Sequence, residues 1–224
     1  MSLPVAAGLL FAAPPAAGVP SELADDRAAR ISDLRYDVSL DIPEASAEPI
    51  RGTVTATFTL AESARGVTFD FAQPASHLGA VTANQQAVVT AVVNGHISVP
   101  GDALVDGANT IEMTFVAGDQ PLNRHEDYLY ALFVPARASA AMPVFDQPNL
   151  KARWRLRLTV PPGWTAVSNG RQAGTLNAPG KTGLIFDETE PISTYLFTFA
   201  AGMFSVETAE RQGRTFRMFH RETD

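Results

Sequence analysis

No cysteine occurs anywhere in the sequence. Its absence excludes disulfide bonds, thiolate nucleophiles and cysteine-ligated metal centres together. A chain without cysteine is compatible with a reducing and with an oxidising compartment, so this feature does not indicate a cellular location. The compartment has to be judged from other parts of the chain.

Positive charge is scarce. The sequence has 17 lysine and arginine residues and 24 aspartate and glutamate residues, which gives a formal net charge of -7. A polycationic face that neutralises phosphates cannot be assembled from this balance. We therefore expect neither a nucleic-acid partner nor binding to an anionic membrane. The excess acid is interpreted as a contribution to solubility. Hydrophobic residues, at 46%, are numerous enough to fill a core, so disorder is not expected.

Long apolar runs are missing as well. Residues 1–19 are apolar and rich in alanine and proline, but this run is too short and too often broken by proline to span a bilayer. One interpretation is a secretory-signal remnant, which favours an exported protein; the other is a poorly structured arm, compatible with a cytoplasmic one. Ser21–Arg30 reads as a short helix or a linker. We assign residues 1–30 to an N-terminal arm and linker and residues 31–224 to one domain.

Apolar residues at helical spacing are absent from the rest of the chain, where the dominant pattern has a period of two. The pattern is clearest in Arg51–Leu60, where apolar residues alternate with threonines. Threonine on the polar face favours a strand, and the alternation predicts a sheet that is covered on one side only. The segment Arg35–Ile42 alternates in the same way and is predicted to form a hairpin with Arg51–Leu60 across Pro43–Pro49.

Further strands are predicted at short spacing along the chain, with Asn94-Gly95 as a type I′ hairpin turn. The 16 glycines and 16 prolines fit many tight turns. The predicted fold class is therefore all-β, a sandwich or open barrel of many antiparallel strands. The further predicted strands are Val67–Phe71, Val88–Val93, His96–Val99, Thr110–Val116, Lys151–Val160, Gly183–Phe186, Thr194–Ala200, Phe204–Ala209 and Thr215–His220.

No catalytic or metal-binding residue is predicted from the residues alone. A zinc peptidase uses His-Glu-x-x-His on a helix, so that two imidazoles one turn apart hold the metal and the glutamate polarises a water. His125-Glu126 begins such a string, but Leu129 stands where the second histidine is needed, beside a predicted strand. The serine-nucleophile motif Gly-x-Ser-x-Gly is absent, and Ser168-Asn169-Gly170 is interpreted as a turn. Taken alone, the residues describe a scaffold.

Two segments nevertheless resemble those of a known enzyme family. Residues 126–170 read EDYLYALFVPARASAAMPVFDQPNLKARWRLRLTVPPGWTAVSNG, and Pro191–Phe197 reads PISTYLF. In this order and strand context, they resemble the N-terminal domain of the aminopeptidase N family of zinc metallopeptidases, which includes leukotriene hydrolase-like enzymes. The best-matching positions are Pro135, Pro143, Phe145, Asp146, Pro148, Lys151, Ala152, Leu156, Pro161, Gly163, Trp164, Ala166, Ser168 and Asn169.

The resemblance implies a saddle-shaped β domain that packs against a thermolysin-like catalytic domain. In the family, that catalytic domain binds zinc through His-Glu-x-x-His and a later glutamate, and it holds the peptide amine through Gly-x-Met-Glu-Asn. Neither motif occurs here. We therefore expect zinc, general base and attacking water to belong to residues after Asp224. The implied function is the non-catalytic domain of a zinc aminopeptidase acting on peptides; alone, the chain is expected to be inactive and to bind no zinc.

The resemblance also implies a role for the segment before Pro135. In the family this segment carries a Gln-x-Glu pair and forms one wall of the substrate pocket. Leu132 and Val134 occupy those two positions here, and Tyr130 precedes them. An apolar pair still lines a side-chain pocket, but it cannot pair with an ammonium group. Tyr130, Leu132 and Val134 are therefore the predicted pocket wall.

Five residues of the matching segment are interpreted as structural. Phe145 and Pro148 flank Asp146, which suits a tight turn whose carboxylate accepts hydrogen bonds from backbone N–H groups. Trp164 is expected to anchor the core at a hairpin corner. The five residues are Pro143, Phe145, Asp146, Pro148 and Trp164.

Two other interpretations remain open: a free-standing β-sandwich that binds a peptide or carbohydrate, and an interaction scaffold left by a degenerate peptidase. A His-Glu-x-x-His motif downstream in the gene would favour the aminopeptidase. A stop codon near Asp224 would favour the free-standing module, and a downstream catalytic domain with broken zinc ligands would favour the scaffold. In the first case an exposed apolar patch should mark the face that meets the catalytic domain. That patch is expected to promote self-association of the chain on its own.

Overall fold

Strands make up most of the regular structure in residues 16–221, the part of the chain that the computed structural model describes. The α-helix α1 (Ser21–Arg30) precedes them. The strands are β1 (Ile31–Asp41), β2 (Arg51–Leu60), β3 (Val67–Asp70), β4 (Leu78–Ala83), β5 (Gln86–Ala87), β6 (Val92–Val93), β7 (His96–Val99), β8 (Gly107–Val116), β9 (Tyr128–Tyr130), β10 (Arg153–Val160), β11 (Thr165–Ser168), β12 (Gln172–Leu176), β13 (Thr182–Phe186), β14 (Phe199–Gly202), β15 (Ser205–Arg211) and β16 (Arg214–His220).

Eight of these strands form one large sheet in the order β12-β13-β10-β1-β2-β8-β4-β5. β1 and β2 pair antiparallel as predicted, with Val38 opposite Val54. β1 also pairs with β10, and this pairing is parallel, which the sequence did not predict. Parallel neighbours need a long crossover connection. Here β1 and β10 are joined by the whole stretch from Ile42 to Ala152, which includes β2 and builds the small sheet β3-β7-β6 on the way.

The core lies between the large sheet and two three-stranded sheets, β3-β7-β6 and β11-β14-β9. The alternation predicted for β1, β2, β8 and β10 is confirmed, since their apolar residues are buried and the residues between them are not. Phe71 contacts Phe115 of the large sheet at a ring separation of 6.1 Å, and Phe197 stacks on Trp154 at 4.3 Å. The all-β sandwich class is therefore confirmed.

Two predicted strands differ from the structure. Val88–Val93 is a strand only at Val92–Val93, although the Asn94-Gly95 turn that follows has the predicted positive φ at both residues, 53° and 79°. Thr194–Ala200 is a 3-10 turn over Thr194–Leu196 followed by β14. The hydroxyl of Thr194 donates to the carbonyl of Phe145 at 3.0 Å, and this side-chain bond competes with strand pairing.

The helix α1 occupies the segment for which the sequence left helix and linker open. Residues 1–15, with most of the predicted arm and the predicted signal remnant, lie outside the described residues. α1 is fixed to the β domain by Arg27, whose side chain is 1% exposed.

At the other end of the chain, β15 and β16 form a separate hairpin with mostly exposed residues. Of the helices described between residues 16 and 221, none has the length and apolar character needed to cross a membrane.

The alternation of β10 generates a stability prediction. Leu156 is buried, so Leu156→Ala should lower the free energy of unfolding by about 2–5 kcal/mol through lost contacts and a cavity. Its neighbour Arg155 points outward and has a solvent-exposed ion pair with Asp37, so Arg155→Ala should cost less than about 1 kcal/mol. Urea denaturation followed by tryptophan fluorescence measures both. Equal losses in the two variants would contradict the assigned faces.

Candidate functional site

The segment from β9 to Pro135 presents an exposed apolar face. Tyr130, Leu132 and Val134 are 40%, 43% and 49% exposed. The alternate residues Leu129, Ala131 and Phe133 are buried, so the alternation of β9 continues beyond the paired strand. The predicted pocket-wall residues therefore point the same way, toward solvent in this structure. We call Tyr130, Leu132 and Val134 the apolar wall.

The backbone beneath the apolar wall is held from both sides. The N–H of Ala131 donates to the carbonyl of Phe199, and the N–H of Leu132 donates to the carbonyl of Pro121, both at 2.8 Å. The hydroxyl of Thr198 donates to the carbonyl of Ala131 at 2.7 Å. These bonds fix the chain direction, so the exposed side chains project from a rigid base.

Charged groups lie at one end of this face. Tyr128 stacks on His125 with a ring separation of 4.3 Å, and the guanidinium of Arg221 lies 4.1 Å from the Tyr128 ring centroid. Arg221 also lies 3.8 Å from a carboxylate oxygen of Asp127. Between Tyr128 and Pro135 the sequence has no acidic residue. The three wall residues are therefore apolar and provide no carboxylate themselves, and the nearest acidic residue in the sequence, Asp127, is paired with Arg221.

Ser168 and Asn169 support the same small sheet in a way that the sequence analysis missed. The hydroxyl of Ser168 donates to the carbonyl of Thr198 at 2.8 Å. The side chain of Asn169 donates to the carbonyl of Leu196 at 3.1 Å and accepts from the N–H of Thr198 at 2.7 Å. Ser168 is the last residue of β11 and Asn169 follows it, and together they clamp the segment that carries Phe197. Their turn-like composition gave no signal for these distant partners.

Phe145, one of the predicted structural residues, joins several parts of the fold. Its ring is fully buried and stacks on Phe69 at a centroid distance of 4.2 Å. Its N–H donates to the hydroxyl oxygen of Tyr36 at 2.8 Å. Burial raises the pKa of Tyr36 far above its ordinary value, so this hydroxyl stays protonated. Phe145 thereby connects β1, β3 and the Thr194 turn.

Asp146 accepts a hydrogen bond from a backbone N–H, but the donor is not in its own turn. Its Oδ2 accepts from the N–H of Ser139, seven residues earlier, at 2.9 Å. Burial raises the pKa of Asp146, and the bond from Ser139 opposes that rise. The carboxylate therefore ties the loop after the apolar wall to the Phe145 segment.

The two structural prolines and Trp164 have different environments. Pro143 is buried, whereas Pro148 is exposed and its carbonyl accepts from the hydroxyl of Ser193 at 2.6 Å. Trp164 is buried, but the prediction that it lies at a hairpin corner is wrong, because β10 and β11 do not pair with each other. The strand after Trp164, β11, pairs with β14 and not with β10, so the chain changes sheets at this point. Tertiary pairing, not the Pro-Pro-Gly turn, determines where β11 goes.

A buried charged cluster beneath α1 was not predicted at all. Arg27 donates to both oxygens of Asp70, at 2.9 Å and 2.6 Å, and Asp70 Oδ2 also accepts from the N–H of Asp146 at 2.8 Å. Arg27 Nη1 further donates to the side-chain oxygen of Gln147 at 3.3 Å. Burial alone would raise the pKa of Asp70, but hydrogen bonds from His96 and Arg27 hold it below its usual value. Distant single charges give no local pattern, so sequence reasoning had nothing to detect.

Zinc does not fit the residues of this chain that the structure describes. Within residues 16–221 there is no group of three or more histidine, aspartate and glutamate side chains that could hold a metal ion. His125 lies outside any helix, and Leu129, at the position of the missing ligand, is buried in β9. A catalytic zinc needs three protein ligands around an open position. We therefore derive no metal-dependent step from this chain.

Residues 32–196 match the family described as the peptidase M1 N-terminal domain. The chain belongs to this family. A curated relative of this M1 N-terminal domain is the aminopeptidase N of Streptomyces lividans, 28% identical over 203 residues, which cover 85% of this chain and 23% of the relative. The human glutamyl aminopeptidase is 33% identical over 87 residues, 38% of this chain and 9% of that protein. The M1 domain thus spans less than a quarter of each of these relatives.

Solved structures with the same fold include an M1 zinc metallopeptidase from Deinococcus radiodurans. It superposes with a TM-score of 0.68 at 22% identity, covering 81% of this chain and 44% of that one. Its E323A mutant, bound to a Tyr-Ser-Ala substrate, gives a TM-score of 0.67 at 20% identity, covering 84% and 46%. At this identity the likeness establishes the fold of the M1 N-terminal domain.

The Tyr36 hydroxyl provides a stability test of the Phe145 segment. Tyr36→Phe removes the acceptor for a buried backbone N–H, so it should lower the free energy of unfolding by about 1–3 kcal/mol. The matched control is Tyr130→Phe, which removes the same atom from an exposed ring and should change stability by less than about 0.5 kcal/mol. Urea denaturation measures both variants. If Tyr36→Phe were as stable as Tyr130→Phe, the hydrogen bond from the Phe145 N–H to the Tyr36 hydroxyl would make no measurable contribution to stability.

Proposed function

We propose that this chain is the non-catalytic N-terminal domain of a zinc aminopeptidase that removes residues from the N-terminus of peptides. In this proposal the chain packs against a catalytic domain that supplies the zinc, the general base and the water. The apolar wall of Tyr130, Leu132 and Val134 forms one side of the substrate pocket. Membership of the M1 N-terminal domain family and the aminopeptidase relatives support the first part.

The alternation around β9 is the observation that carries the pocket assignment. Three large side chains are exposed at every second position, on a backbone held by Phe199, Pro121 and Thr198. Leaving such a row in water has an unfavourable free energy that a partner surface or a ligand would remove. Leu196 and Met203, which lie before and after β14, the strand paired with β9, are also exposed.

The composition of the wall suggests which part of a peptide it contacts. Leucine and valine side chains attract apolar groups, and they cannot compensate the charge of an N-terminal ammonium group. The wall would therefore contact the side chain of the first peptide residue. The ammonium group would be held by residues of the catalytic domain.

Activity of the chain alone is the first test. Purified without any other domain, it should release no aniline from aminoacyl-anilides, with or without added zinc, because its described residues offer no zinc ligand set. Absorbance of the released product and metal analysis after gel filtration measure turnover and zinc content. Turnover that a chelator abolishes, or one bound zinc per chain, would overturn the non-catalytic assignment.

The wall itself is tested with this chain joined to a zinc-binding catalytic domain. Leu132→Ala should lower kcat/KM for substrates with a large apolar first residue by roughly 10-fold or more, since removing apolar contacts in such pockets has effects of this size. Substrates that begin with alanine should be affected less. The matched control is Val89→Ala, which shortens a fully exposed apolar residue outside the wall.

Both positions in this second test are exposed, so loss of folding should not obscure the result. Steady-state kinetics on a series of aminoacyl-anilides gives the comparison. Equal kcat/KM losses for alanine and leucine substrates would argue against a pocket wall. A loss of kcat/KM in Val89→Ala as large as that in Leu132→Ala would also argue against a pocket wall.

A further inference from the structure

The segment Ala87–Val93 has the side-chain pattern of a strand but only part of the pairing of one. Every second residue in it is exposed, and the residues between them are partly buried. Val88 and Val92 pack against the core, whereas Val89 is fully exposed. Such alternation places successive side chains on opposite faces of an extended chain. The segment therefore has the shape of a strand beyond the short paired stretches β5 and β6.

The middle of this segment has no backbone partner in the structure. Among the residues that the structure describes, none forms a backbone hydrogen bond with Val89, Thr90 or Ala91. The segment is nevertheless held in place, because the hydroxyl of Thr90 donates to the carbonyl of Ser98 at 2.8 Å. It also connects two edges, since β5 is the outermost strand of the large sheet and β6 that of the sheet β3-β7-β6. Unpaired N–H and C=O groups at a sheet edge are a template for a further strand.

The features that usually protect a sheet edge are missing from this stretch of the sequence. Charged side chains and proline commonly keep an edge from pairing with another chain. Residues 81–95 contain neither, although the chain as a whole has a formal net charge of -7. Repulsion between two copies of this acidic protein is therefore weakest here. Uncharged segments of high β-propensity without proline pair readily with identical segments.

The order of the exposed side chains favours a second copy of the chain as the partner. Ala87, Val89, Ala91 and Val93 alternate between a small and a larger apolar residue. Antiparallel pairing about a two-fold axis at Thr90 places each valine opposite an alanine, so the two rows fill each other's gaps. Val89 and Ala91 then lie opposite each other's copies and can exchange both of their backbone hydrogen bonds. Parallel pairing in register would place valine opposite valine and alanine opposite alanine.

We infer that Ala87–Val93 is a self-association strand, through which two copies of this chain pair antiparallel about Thr90. A two-fold contact uses the same surface on both copies, so association ends at the dimer. The strand shares no residue with the apolar wall. The inference therefore does not depend on the proposed aminopeptidase function.

Sedimentation equilibrium of the whole chain over a range of concentrations tests the dimer. Val89→Lys places two like charges near the axis and should raise the dissociation constant of the dimer at least about tenfold. Val105→Lys makes the same change at a valine that is 53% exposed outside the segment, and it should have no effect. Both side chains are exposed, so folding should be retained. An unmodified chain that stays monomeric, or a dimer lost in Leu132→Lys but kept in Val89→Lys, would overturn the inference.

Disulfide cross-linking tests the register, because the chain has no cysteine of its own. A mixture of Val89→Cys and Ala91→Cys chains should cross-link faster than either variant alone, since these two positions face each other across the axis. Val105→Cys, alone or mixed with either variant, should cross-link slowly. Non-reducing electrophoresis of samples taken during mild oxidation gives the rates. Cross-linking that is equally fast in all samples, or fastest in the unmixed variants, would contradict the antiparallel pairing.

Discussion

The burial of Phe145 between the sheets is the constraint on which the other features of this domain depend. Its ring stacks on Phe69 of a small sheet and lies at 6.0 Å from the ring of Phe58 in the large one. Its backbone N–H and carbonyl are bound by the hydroxyls of Tyr36 and Thr194. One residue thus sets the spacing of the layers and the position of the turn before β14. Because β14 pairs with β9, the apolar wall inherits its position from this packing.

A second constraint is electrostatic and lies under α1. A buried arginine is stable only when its charge is compensated and its donors are occupied, and Asp70, Gln147 and the carbonyl of Thr68 do both for Arg27. The same carboxylate has one oxygen 3.0 Å from Nδ1 of His96, so the histidine belongs to this buried cluster.

The contacts that stabilise the fold and the exposed apolar side chains occupy different parts of the domain. The Arg27–Asp70 network and the aromatic contacts of Phe145 are inside, while the apolar wall is outside on a braced backbone. This arrangement is expected of a surface that meets another domain or a ligand. Leucine at position 132 and valine at position 134 make that surface apolar. In the proposed aminopeptidase, this domain would shape the side-chain pocket and leave chemistry and amine recognition to the partner domain.

The sequence by itself determined the all-β class, the inward faces of β1, β2, β8 and β10, the Asn94-Gly95 turn and the family. These depend on patterns a few residues long, and alternation at every second position is such a pattern. Only the tertiary structure decided the parallel pairing of β1 with β10, the sheet change after Trp164, the clamp of Ser168 and Asn169, and the cluster of Arg27, Asp70 and His96. Each of those joins groups far apart in the chain, and a single charged or polar residue has no local signature of a partner that only folding brings within hydrogen-bonding distance.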